Sequence, residues 1–155
     1  MRRMWMLLAV TALLFAKGEM VRIVIRGEGL PKPIEIKDAT VMNRFQIYSG
    51  PGTSRDGVRE TGTAPTFIID WPRGPVDEPK GLRVYEVSFV TTRSDVSTYI
   101  VFYAFDPATK HGYVYLPGKS DPQYKDNVWQ IYRGVEGKWF HAWSAWDGVA
   151  QPLLQ

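Results

Sequence analysis

The sequence predicts a β-rich fold, all-β or α+β. It would be a single domain on a curved antiparallel sheet (a half-barrel or a sandwich) with two or three short helices. Three observations carry this. Apolar and polar residues alternate with a period of two in the N-terminal and central parts of the chain. Fourteen Gly and 11 Pro divide the rest into short pieces. Aromatics make up 14% of a chain that is 45% hydrophobic and has no Cys, so packing rather than disulfides must hold the fold. A length of 155 residues suits one domain.

The N-terminus reads as an address. Arg2 and Arg3 precede a run over residues 4–16 that is apolar but for Thr11. A spanning helix needs about 20 apolar residues. A shorter run behind two positive charges is the pattern of a secretory signal peptide, here residues 1–16. Cleavage is expected after Ala16, or after Gly18 with Ala16 three positions before the cut. The globular domain is then 19–155. Losing Arg2 and Arg3 takes Lys+Arg from 19 to 17 against 16 Asp+Glu, so the mature chain is near +1. A basic footprint for nucleic acid is not expected. No second run is long enough to span a membrane. The protein is expected in the periplasm or outside the cell.

The elements follow in order. Val21, Ile23 and Ile25 face one way, with Arg22 and Arg26 opposite, which predicts a half-buried strand. A Gly/Pro turn leads to Ile34-Glu35-Ile36, its hairpin partner. Asp38 is placed to N-cap a short helix carrying Val41, Met42 and Phe45. Residues 45–48 predict a brief strand, and residues 49–64 a long Gly/Ser/Thr-rich loop. Residues 66–71 predict a strand from their β-branched and aromatic content, followed by a Pro/Gly loop over 72–81. Residues 82–92, 98–105 and 112–116 predict a three-strand meander, the middle strand being apolar on both faces. Asp121-Pro122 is a helix-start pair, with Tyr124, Val128 and Ile131 as its stripe. Residues 128–133 could equally be a strand turning at 134–137 into a strand over 138–143. A last short helix fits ahead of Pro152.

The chemistry-bearing residues are sparse. There are two His, 30 positions apart, His111 in a turn and His141 among aromatics. No spacing pre-places them as metal ligands, and no metal or cofactor is expected. A small exported hydrolase would use His111 or His141 as base with Asp70 or Glu86. No Ser lies in a Gly-x-Ser-x-Gly elbow. Residues 49–55, ending at Arg55, could cradle an anion but match no P-loop.

The aromatics are richer. Trp139, Trp143 and Trp146 fall within eight residues. On a helix they would share one face; on a strand Trp146 would oppose the other two. Indole faces stack on sugars and other flat ligands, but they also fill cores. Tyr99, Tyr103, Tyr113 and Tyr115 pose the same question, since a buried hydroxyl needs a partner. The leading expectation is an exported, non-catalytic binding module for a glycan or another cell-envelope component. Its site would combine Trp139, Trp143, Trp146, His141, Arg55 and Trp71 with the loops 49–64 and 72–81. A structural or assembly protein is the third reading.

Overall fold

The computed structural model describes residues 18–55, 58, 59, 61–92, 99–127, 132 and 134–155, with backbone alone at 54, 55 and 58. The expected signal peptide lies outside the described residues. Nine strands, two α-helices and three 3-10 turns are present among those described. The strands are β1 (Met20–Gly27), β2 (Ile34–Ile36), β3 (Ser54–Arg55), β4 (Val58–Arg59), β5 (Pro75–Val76), β6 (Val84–Thr91), β7 (Tyr99–Asp106), β8 (His111–Leu116) and β9 (Lys138–His141). The helices are α1 (Ala39–Arg44) and α2 (Ser144–Ala150).

Seven strands form one open antiparallel sheet in the order β2-β1-β6-β7-β8-β9-β5. β3 and β4 pair only with each other. The fold is therefore β-rich with few short helices. The predicted meander is β6-β7-β8, and the predicted N-terminal hairpin is β1-β2. Period-two alternation gives the sheet two unlike faces. Ile23, Ile25, Tyr85, Val87, Phe89, Tyr99, Val101, Tyr103, Val114, Leu116 and Phe140 lie on the inner face, and all are buried. They share one core with Phe45, Ile47, Phe67, Ile68, Ile69, Trp71, Tyr132 and Trp146.

α1 begins where the sequence places it: the Asp38 carboxylate accepts the Val41 N–H at 2.9 Å. Residues 45–48 form a turn, not the expected strand, because the chain closes behind α1 with the Phe45 N–H donating to the Val41 carbonyl. The strand expected at 66–71 is also absent. Phe67 takes a left-handed φ of 59°, which breaks a ladder, and Ile69 bridges to Thr66 and Ala142 before a 3-10 turn at Trp71–Arg73. That apolar run reports burial alone: Phe67, Ile68 and Ile69 are fully buried. Asp121-Pro122 starts a 3-10 turn, Pro122–Lys125, rather than a full helical stripe. Val128 and Ile131 lie outside the described residues. β9 pairs with β8 and β5, so its partners are remote in sequence. β8 ends at Leu116, short of Ile100, and the Asn127 side chain takes its place. The Asn127 amide accepts the Ile100 N–H at 2.6 Å and donates to its carbonyl at 2.7 Å.

Candidate functional site

The outer face of the sheet carries the candidate site. Antiparallel register places Arg26, Glu86, Phe102, Tyr115, Trp139 and Val76 opposite one another in a single row across six strands. All six are half-buried or exposed. The aromatic members are neighbours. Phe102 and Tyr115 ring centroids are 6.3 Å apart and tilted by 35°; Tyr115 and Trp139 are 5.3 Å apart and tilted by 38°. A second row two residues along holds Val84, Ala104, Tyr113 and His141. Tyr113 and His141 rings lie 5.3 Å apart. On the other side of the first row, Val24, Ser88 and Ile100 are buried.

Polar groups fix this track. The Tyr115 hydroxyl donates to Asp121 Oδ2 at 2.7 Å, and the same oxygen accepts the Gly118 N–H at 2.7 Å. Burial, then that hydrogen bond to Asp121, pushes the Tyr115 phenol up to about 12. At the other end Arg26 Nη1 lies 3.6 Å from Glu86 Oε1 and donates to Ser88 Oγ at 3.3 Å. Ser88 donates to Glu86 at 3.1 Å. Burial and the nearby Arg73 guanidinium hold the His141 imidazole below its ordinary value, so it is neutral at neutral pH. Its Nδ1 is buried and has no hydrogen-bond partner among the described residues.

No family model, curated protein or solved structure matches this chain.

The residues singled out in the sequence are distributed unequally. Trp139 and His141 stand on the outer face, two positions apart on β9. Trp146 and Trp71 are in the core, at 0% and 6% exposure. Trp143 precedes α2, half-buried beneath the Arg44 guanidinium, which lies 4.9 Å from its ring centroid. Strand and helix meet between Trp139 and Trp146, so neither single-element pattern applies. The Arg55 side chain lies outside the described residues. In the adjacent turn the Gly50 N–H donates to Thr53 Oγ1 and the Thr53 N–H to the Gly50 carbonyl, which occupies both amides internally. His111 opens β8, exposed, opposite Asp106. Among the described residues neither His side chain hydrogen-bonds a carboxylate; Asp70 meets His141 through its backbone N–H on the His141 carbonyl. Among the described residues there is also no group of three or more His, Cys, Asp or Glu placed to hold a metal ion.

Sequence reasoning passed over Phe102 and Arg26, and met Glu86 only as a carboxylate partner. Alternation puts Glu86 on a polar face but does not place Phe102, whose strand is apolar on both faces. What it lacks is the cross-strand register that lines them up.

Proposed function

We propose that this protein is an exported, non-catalytic binding module whose binding surface is the outer face of β7, β8 and β9. The ligand class is a glycan or a glycan-bearing envelope component. The observation that carries the reading is the half-buried row Phe102–Tyr115–Trp139, three neighbouring rings on the outer face of the sheet. Aromatic rings that keep some exposed surface bind apolar C–H groups and cost little side-chain entropy on binding. Rings on strands keep their spacing better than rings on loops.

Trp139→Ala is expected to weaken saccharide binding by at least about tenfold, roughly 1.4 kcal/mol, while the protein stays folded. Isothermal titration against neutral, acidic and basic oligosaccharides checks this. Unchanged affinity across the panel removes the binding face.

Export has its own test. Among the described residues no helix is long and apolar enough to cross a membrane. Mass spectrometry of protein secreted from a bacterial host is expected to show loss of residues 1–16 or 1–18. A product retaining Met1 would count against export by this route.

A further inference from the structure

Resting on that binding face, we infer that the ligand is a neutral, linear oligosaccharide lying across the strands from Arg26 to Trp139. Orientation comes from register. The row Arg26, Glu86, Phe102, Tyr115, Trp139 steps from strand to strand without a shift. At about 4.8 Å per strand, the row spans roughly 19 Å, close to the length of about four pyranose rings.

Neutrality comes from the charges. Arg26 and Glu86 form a pair that is formally uncharged yet presents donors and acceptors together, with Ser88 between them. That suits adjacent hydroxyls, which both donate and accept. Asp121 fixes the Tyr115 hydroxyl, and Glu78 lies near enough to act on it. Arg73 and Asp70 act on His141. Both signs therefore border the track. A charged polymer is drawn by a field of one sign, and here either sign meets its like.

The test titrates the mature protein with cellotetraose, maltotetraose, tetragalacturonate and a chitosan tetramer. At least one neutral tetrasaccharide is expected to bind more tightly than both charged tetramers. Its disaccharide is expected to bind at least about tenfold more weakly, and Arg26→Ala, an exposed site, to weaken the tetrasaccharide severalfold. Tighter binding of a charged tetramer or equal affinity for the disaccharide overturns the inference. If those results still depend on Trp139, the binding face stands and only the ligand class falls. If no saccharide binds, both fall.

Discussion

Asp147→Ala is expected to lower the unfolding free energy by roughly 2–5 kcal/mol, and Asp147→Asn by much less. Asp147 is buried on α2, where Oδ1 accepts the Tyr103 hydroxyl at 2.7 Å and Oδ2 accepts the Gly112 N–H at 3.0 Å. Ala leaves two buried donors without an acceptor, each costing about 1–3 kcal/mol. Removing a buried charge offsets part of that. Asn can accept from Gly112 through its carbonyl and donate to the Tyr103 oxygen, which keeps both bonds. Gly112 belongs to the same device: a Cβ there would run into Asp147 Oδ1 and the Tyr103 ring. Urea titrations, with the midpoint moving at unchanged slope, measure the difference. Equal losses for Ala and Asn would mean that the hydrogen bonds contribute little.

The same carboxylate gives a pH signature. Burial raises the Asp147 carboxyl above its ordinary value, and the bonds from Tyr103 and Gly112 oppose but do not cancel this. The folded state thus holds the proton more tightly than the unfolded chain. Asp147 contributes most stability below the ordinary carboxylate range. It loses stability as pH rises from there through the raised folded value, and is level above it. The wild-type minus Asp147→Asn difference should follow that descent. A difference that climbs with pH over the same window contradicts it.

What the sequence showed depended on how local the cause was. The β1-β2 hairpin, the Asp38 cap and the β6-β7-β8 meander were legible because alternation, one carboxylate and short turns determine them. The 66–71 segment was misread because an apolar run measures burial, while the left-handed Phe67 breaks the strand. β9 joins β8 across some 20 intervening residues, and no local pattern announces a pairing that remote. The row Phe102–Tyr115–Trp139 inherits that blindness. Tyr115 sits on an alternating strand and Phe102 on one that is apolar on both faces, and the proximity of the three rings is set by two registers. The tryptophan spacing, by contrast, was visible and divided by the fold: Trp139 goes to the outer face, Trp146 to the core.

That division makes Trp146→Ala the most destabilising single change expected in the Trp139–Trp146 segment, at about 3–5 kcal/mol. Trp146 is fully buried, edge-on to Phe45 at 5.3 Å and to Tyr103 at 6.0 Å. It therefore joins α2 to the end of α1 and to β7, and neither neighbour can collapse into its volume without leaving its own strand or turn. Its indole Nε1 is buried with no hydrogen-bond partner among the described residues. Trp146→Phe removes that orphaned donor and keeps an aromatic edge contact, so its cost should be less than half that of Ala. Trp139→Ala, on a half-buried strand position, should shift the melting temperature by only a few degrees. Thermal melts of the three variants separate the roles. A Trp146→Ala protein as stable as Trp139→Ala would mean that the core does not depend on this ring. The ordering expected here instead assigns one tryptophan to holding α2 on the sheet and leaves the other free to meet a ligand.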